Sequence, residues 1–303
     1  MDSASPRPPA LVLVNPRLAR RQPGLIDGIR SHLEDALVES IEGPAAMTGR
    51  ACEAVSQGAR TIVVAGGDGT VGLVLRALIE LPEASRPTVG LLPIGTYNNF
   101  ARSLGIPSDL AEACRIVSTG QTGSVDLGRV ISRNPSASFV FKEVVGVGVD
   151  ARAFASGLDV AGPAKIPVGA LASLRAVLSY RPYPVKYRFE PKQRWQRCTQ
   201  LLVANTPTCA AGFPVLPEAR LDDGLFHVLS RSWRGRLDLM AELPLLLRGR
   251  HYELEHDQLQ TASRVHVTGH SSVLLHADGE FFCRMPAIIE MLPSAVRVFV
   301  APR

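Results

Sequence analysis

Residues Gly66-Gly67-Asp68-Gly69-Thr70 follow the apolar run Thr61 to Ala65 and lead into an apolar helical pattern, Val71 to Leu81. A strand that ends in glycines and restarts as a helix aims several backbone N–H groups and the positive end of the helix dipole at one spot, which suits phosphate. Glycine lets that backbone approach its ligand closely. No Gly-Lys-Ser/Thr follows, so this is not a Walker A loop, and the spacing differs from the G-x-G-x-x-G of a dinucleotide fold. A carboxylate in an anion site, Asp68, would repel phosphate unless a metal ion or a ribose hydroxyl lay between them. The combination therefore reads as nucleotide plus Mg²⁺. The plainer reading is a tight strand-to-helix turn with Asp68 as N-cap.

A second loop, Gly95-Thr96-Tyr97-Asn98-Asn99, also follows a short apolar strand, Thr88 to Leu92. Open α/β sheets bind ligands beyond the C-terminal ends of their strands, and two such loops can line one crevice. Two later segments carry carboxylates beside Asp-Gly: Leu221-Asp222-Asp223-Gly224-Leu225 and Asp278-Gly279-Glu280. Each also fits an ordinary hairpin turn. None of the seven histidines is assigned a catalytic role, and His276 is read as packing on a strand.

The elements needed to hold these loops are legible in outline. Up to about residue 130, short apolar runs alternate with helical patterns, the sign of a parallel sheet flanked by helices. A strand over Ala10 to Val14 ends at Asn15-Pro16, a helix is expected over Leu25 to Glu39, and Thr48 is expected to cap another through Val55. Ser108 or Asp109 caps a helix to about Ser118. After Asp126 the texture becomes β-branched: Phe139 to Val149, Val185 to Glu190, Leu201 to Asn205, Leu225 to Leu229, Val265 to Val267, Val273 to His276, Ile288 to Leu292 and Val296 to Val300. Many short strands separated by turns argue for a sandwich or barrel, interrupted by helices over Val168 to Ser179 and Arg236 to Arg248.

The whole chain of 303 residues, at about 150 per domain, suits two domains. With 46% hydrophobic and 20% charged residues it should fold rather than stay disordered. No apolar run approaches the roughly 18 residues needed to span a bilayer, and Leu11 to Val14 is too short for a signal-peptide core, so a cytoplasmic protein is expected. Its five cysteines are scattered and never form C-x-x-C, which points to reduced core thiols. Between Arg152 and Arg197 nine Lys or Arg face two acids, a net of +7 against +5 for the whole chain. Tyr180, Tyr183, Tyr187, Phe189 and Trp195 are interleaved there, so the stretch could meet nucleic acid or an anionic membrane, or simply form solvated strand faces.

Gly66-Gly67-Asp68-Gly69-Thr70, together with Pro93-Ile94-Gly95-Thr96-x-Asn98-x-Phe100-Ala101-Arg102 and Leu104-Gly105-Ile106-Pro107, resembles the catalytic domain shared by diacylglycerol kinases and sphingosine kinases, particularly the soluble bacterial lipid kinases. The resemblance extends through Asn15-Pro16, Val125-Asp126-Leu127-Gly128 and Gly146-x-Gly148-x-Asp150-Ala151 to both Asp-Gly segments. It implies an α/β fold, with an NAD-kinase-like parallel-sheet N-terminal domain over 1–128 and a β-sandwich-type lipid domain over 129–303 whose C-terminal tail can pack back on the first. In that family the nucleotide sits on the glycine loops and the lipid enters between the domains.

The resemblance also implies roles. ATP would be held by Asn15, Thr48, Gly66, Gly67, Asp68, Gly69, Thr70, Gly95, Thr96 and Asn99; Glu280 would be the general base on the lipid hydroxyl. Asp68, also catalytic, and Asp126 would belong to the acidic network around the catalytic Mg²⁺, and a structural Mg²⁺ would sit on Asp223 with the carbonyls of Arg220 and Leu225. Departures are visible: Gly72-Leu73 stands where the family has Asn-Glu, Asn98-Asn99 where it has Asn-Asp, and Arg17 to Arg21 where a small glycine-containing segment is usual. The Gly-rich run after the family's Asn-strand is reduced to Ala211-Gly212-Phe213.

The expectation is thus an ATP- and Mg²⁺-dependent kinase of a membrane lipid such as diacylglycerol, peripherally attached to an anionic membrane surface and not a nucleic-acid binder. A kinase of a soluble acceptor such as NAD, or a catalytically weakened lipid- or nucleotide-binding protein, remains open. Which lipid is used is not legible, and uncovered strand edges leave a homodimer open.

Overall fold

A computed structural model describes residues 10–157, 183–191, 194–209, 212–233 and 258–301, with positions 175, 178, 179, 237, 238, 241, 245 and 250 between them. The elements, in chain order, are β1 (Leu11–Val14), α1 (Pro16–Arg21), α2 (Leu25–His32), β2 (Leu37–Ser40), α3 (Pro44–Ser56), β3 (Thr61–Gly66), α4 (Asp68–Ile79), β4 (Thr88–Pro93), α5 (Asn99–Ser103) and α6 (Leu110–Thr119). There follow β5 (Thr122–Asn134), β6 (Ser136–Phe141), β7 (Val144–Val147), α7 (Val149–Gly157), β8 (Val185–Phe189), β9 (Gln196–Cys198), β10 (Gln200–Ala204), β11 (Thr208–Cys209), β12 (Phe213–Pro214), β13 (Phe226–Arg231), β14 (Gln258–Ala262), β15 (Arg264–Gly269), β16 (Leu274–Ala277) and β17 (Phe281–Phe299). Two compact units result: Met1–Asp126 with Ser294–Arg303, and Leu127–Pro293. The first unit takes up the last ten residues of the chain as well as its start.

In the first unit β2, β1, β3 and β4 lie side by side, all parallel, and the end of β17 adds parallel to β4 through Arg297↔Thr88 and Val298↔Val89. These strands read as continuous apolar runs because helices cover a parallel sheet on both faces, and Leu11 to Val14 and Ile62 to Ala65 are all buried. The order places β1 between β2 and β3. Consecutive strands therefore depart in opposite directions there, leaving a crevice at their C-terminal ends. Arg86 secures the far end of α4: Nε donates to the Leu81 carbonyl, Nη2 to Ile79 and Nη1 to Ala295.

The second unit is antiparallel. One run follows the order β14, β13, β10, β7, β16, β17, and β17 then pairs with β15, which pairs with β8 and through it with β9. Strand β17 belongs to both runs: Phe281 to Arg284 pair with β16, and Ala287 to Glu290 with β15. Inward side chains of both runs meet in one core that includes Phe141, Val147, Tyr187, Phe226, Val265, Leu275 and Ile289. Alternation along β8, with Val185, Tyr187 and Phe189 buried and Lys186 exposed, is what a sandwich strand requires.

Several expectations are corrected. The helix expected over Leu25 to Glu39 stops at His32, and Leu37 to Ser40 become the edge strand β2, because pairing with β1 and burial of Val38 outweigh a weak helical period. Arg50 fixes that edge with Nε and Nη2 each 2.9 Å from the Glu39 carboxylate. Thr48 caps nothing: α3 starts at Pro44 behind Gly43, since proline at the first helical position is already set to helical φ. Helix α4 begins at Asp68 rather than Val71, with Gly67 as its N-cap, so the glycine loop is itself the first turn and Asp68 is not the cap. Phe139 to Val149 is two strands and the start of α7, and Ile288 to Leu292 and Val296 to Val300 are one strand, β17. The helices expected over Val168 to Ser179 and Arg236 to Arg248 lie mostly outside the described residues.

Candidate active site

In the first unit the two glycine loops touch backbone to backbone. Gly66 ends β3 opposite Pro93 at the end of β4. A Cβ on Gly95 would lie 2.3 Å from Gly67 Cα, and one on Gly66 would lie 2.6 Å from Thr70 Cβ, so both positions exclude any side chain. Asn98 holds the second loop in shape at positive φ (53°): its Oδ1 accepts from Gly95 N at 3.0 Å and its Nδ2 donates to the Pro93 and Gly95 carbonyls, both at 2.9 Å. Asparagine tolerates this left-handed conformation better than most residues.

Asp68 joins the loops. Its Oδ2 accepts from Asn99 N at 3.0 Å and its Oδ1 from Phe100 N at 3.1 Å, so it caps α5 from the first turn of α4. Asn15, at the end of β1, donates from Nδ2 to Thr70 Oγ1 at 2.8 Å, and its Oδ1 accepts from Arg17 N. Asn15, Thr70, Gly67, Gly95, Asp68 and Asn99 are thus linked around the β1/β3 crevice. No side chain caps α4, whose first-turn amides open beyond the strand ends. Beside the second loop is a cavity of about 470 Å³ lined by Gln22, Gly95, Thr96, Tyr97 and Arg102.

The other expected site residues of this unit are Thr48 and Asp126. The Thr48 hydroxyl donates to the Pro44 and Ala45 carbonyls of its own helix. Asp126 is buried, and its Oδ1 accepts from Ser294 N at 2.7 Å. Gly72 is buried within α4.

In the second unit Asp278 and Gly279 both have positive φ, at 52° and 69°, and Glu280 N donates to the Ala277 carbonyl, as in a type I′ turn joining β16 to β17. Glu280 is exposed at its end. Asp278 points the other way. Its Oδ1 accepts from Glu143 N and Val144 N at 2.9 and 3.0 Å, its Oδ2 from Lys142 N at 2.9 Å. Lys142 Nζ lies 2.7 Å from Glu143 Oε1 and 3.4 Å from Asp278 Oδ2, with the three side chains 3%, 7% and 1% exposed. This ionic group anchors the turn that carries Glu280. Lys142 and Glu143 are absent from the residues expected at the site, and their only mark in the sequence is a charged pair inside the apolar run Phe139 to Val149.

A second buried network adjoins α7. Burial pushes the Asp150 carboxyl up to about 6, opposed by a hydrogen bond from Gln200 and the charge of Arg231. His276 is fully buried; its Nδ1 accepts from Gly279 N at 3.1 Å, and burial pushes it down to about 4, so it is neutral near pH 7.

Arg220, Asp223 and Leu225 share one loop before β13. Asp223 Oδ1 accepts from Leu225 N at 3.0 Å and Oδ2 lies 3.4 Å from His227 Nε2, while the Arg220 side chain pairs with Asp222. Asp223-Gly224 lies in the connection from β12 to β13, which pair with other strands and not with each other, so the simple hairpin reading fails there.

Two family models match the chain: the diacylglycerol kinase catalytic domain over residues 9–130, and the YegS C-terminal NAD kinase beta sandwich-like domain over residues 143–300. A diacylglycerol kinase of Bacillus subtilis is 31% identical over 231 residues, covering 74% of this chain and 72% of that protein. One from Mycobacterium tuberculosis is 30% identical over 253 residues, covering 81% and 78%. Among solved structures, a diacylglycerol kinase from Bacillus anthracis superposes with a TM-score of 0.70 at 19% identity, covering 98% of each chain, which concerns the fold alone.

Proposed function

The chain belongs to the diacylglycerol kinase family, and on that premise we propose that it transfers the γ-phosphoryl group of ATP to the hydroxyl of a membrane lipid of the diacylglycerol class. The observation that carries this reading is the back-to-back packing of the two glycine loops under an α4 that no side chain caps. Its first-turn amides, Asp68 to Thr70, would receive the phosphates, with Thr96 and Asn15 alongside and Asn99 held in place by Asp68.

Among the described residues no three His, Cys, Asp or Glu side chains form a ready metal cage. Mg²⁺ carried by a nucleotide does not need one, because one or two carboxylates complete its shell with phosphate and water oxygens. Asp68 fits, having given two of about four acceptor positions to Asn99 and Phe100; Asp126 is the second carboxylate of the unit we assign to that network. Bound Mg²⁺ would supply charge neutralisation on the transferring phosphoryl group. For a structural Mg²⁺ we propose Asp223 with the Arg220 and Leu225 carbonyls, three hard oxygens that leave the rest of about six positions to water.

Glu280 would take the acceptor proton. The acceptor oxygen forms the new bond to the γ-phosphorus, the bridging P–O bond to the β-phosphate breaks to release ADP, and the hydroxyl proton passes to Glu280. Lys142, Glu143 and Asp278 hold the turn on which Glu280 stands. No described helix is long and apolar enough to cross a membrane, so attachment through the surface is the proposed mode.

The test is transfer of labelled γ-phosphate to diacylglycerol, a sphingoid base, ceramide and phosphatidylglycerol in mixed micelles, with NAD as soluble control. One labelled lipid, with kcat falling about 10²- to 10⁴-fold in Glu280→Gln and ATP binding retained, is expected. Label on NAD alone, or ATP binding without transfer to any acceptor, overturns the reading.

A further inference from the structure

The two strands at the edge of the second unit place their charges in an unfavourable way. Val185, Tyr187, Phe189 and Cys198 point into the core, so Lys186, Arg188, Trp195 and Arg197 belong to the opposite face. The register sets Lys186 directly across from Arg197, and like charges directly opposite each other weaken a strand pair. Among the described residues no carboxylate lies within ion-pair distance of Lys186, Arg188 or Arg197. Glu190 directly follows β8 on this same face, where it pairs with Arg264 at 3.6 Å and with His266 and lies in the field of Arg188, and Arg264 also reaches Glu290 at 3.5 Å. Glu190 thus offsets part of the charge of Arg188, while Lys186 and Arg197 have no carboxylate within ion-pair distance among the described residues, and Arg194 is exposed just before Trp195.

Trp195 is 46% exposed, with the Arg188 guanidinium 5.3 Å from its ring centroid. A large aromatic side chain left in water among cations suits the boundary between headgroups and hydrocarbon, where an indole buries its ring and keeps its N–H hydrated. Stacking single-stranded nucleic acid calls for successive aromatic platforms along a groove, whereas among the described residues of β8, β9 and the residues next to them this face offers one ring, already covered on one side by an arginine.

We propose that the face of β8 and β9 carrying Lys186, Arg188, Trp195 and Arg197 docks on an anionic lipid surface, the cations neutralising headgroups and Trp195 entering the interface. The choice of a membrane as partner rests on the lipid-kinase reading above. None of these residues belongs to the glycine loops or to the turn that carries Glu280.

The experiment is sedimentation of the full chain with vesicles of phosphatidylcholine, alone or with part replaced by phosphatidylglycerol, in rising salt. Binding only to the phosphatidylglycerol vesicles, declining with salt, is expected. Each charge removed should lower partition about fivefold, so Lys186→Gln with Arg197→Gln should lose roughly 30-fold. That double variant should melt no lower than the parent, since it relieves a like-charge pair, and should keep its rate on lipid presented in detergent micelles. Trp195→Ala should weaken binding on its own. Vesicle binding unchanged in the double variant, or binding to a duplex oligonucleotide with none to vesicles, overturns the proposal. Absence of phosphoryl transfer in micelles bears on the kinase reading alone, because the vesicle measurement contains neither ATP nor diacylglycerol.

Discussion

Asp68 illustrates how one carboxylate is committed before any ligand arrives: both oxygens accept backbone N–H groups of the second loop. Lys142 is committed more completely. Replacing it with Met would leave Glu143 and Asp278 buried without their cation, a change that usually costs about 3–5 kcal/mol. Lys142→Met combined with Glu143→Gln should recover part of that loss, which urea unfolding of the single and double variants measures. His276 gives a pH dependence of defined sign. Its folded value, about 4, is below the ordinary 6.5, so its contribution to stability is complete above 6.5 and is lost as pH falls toward 4. Asp150 opposes it: burial raises the carboxyl to about 6, so its contribution is present below the ordinary 3.8 and is lost as pH rises through 6. In His276→Gln only the second dependence remains. The difference in unfolding free energy between parent and variant should therefore shrink between pH 6.5 and 4, by on the order of 3 kcal/mol.

At the scale of elements, the contact between the ends of β3 and β4 leaves room for no side chain. Gly95→Ala would force a Cβ to 2.3 Å from Gly67 Cα, against backbone that has no rotamer to change, so the loops must separate. Gly105 is the control, because it has positive φ (71°) but open space around it, and alanine there should cost only about 1 kcal/mol of strain. Nucleotide affinity measured by calorimetry should collapse in Gly95→Ala and persist in Gly105→Ala. Equal affinity in both would mean that the packing of the two loops does not shape the proposed phosphate site.

For the whole molecule, the chain passes between its two units near residues 126 and 293, and the last segment returns to the first sheet. There β17 pairs with β4, Val300 N donates to the Gln121 carbonyl, and Val296, Val298 and Phe299 are buried. Removing residues 294–303 would strip those three side chains from the core, at about 1.5–3 kcal/mol each, and unpair one side of β4. Such a loss is comparable to the whole stability of a domain. Hydrogen exchange read by mass spectrometry should show the amides of β3 and β4 losing protection in the truncated chain.

Some of this was legible without coordinates because it is local. The strand, glycine loop and helix from Thr61 onward follow from an apolar run and glycine spacing, and the Asp278-Gly279 turn follows from two residues that accept positive φ. Asp109 caps α6 through Glu112 N, as its position before the helical period indicates. What the sequence left undecided is pairing between distant segments, since a period of two or 3.6 says which face is apolar but not what that face meets. Leu37 to Ser40 became a strand only because β1 was there to pair with, and β17 became one strand because β16, β15 and β4 each claim part of it. Lys142 and Glu143 are tolerable in a core only because Asp278, 135 or more residues away, supplies the matching charge and acceptors. The opposition of Lys186 and Arg197 likewise exists only through the β8–β9 register. Residue types and their spacing marked which groups could carry chemistry, and long-range pairing decided which of those groups are spent on the fold and which are left facing outward.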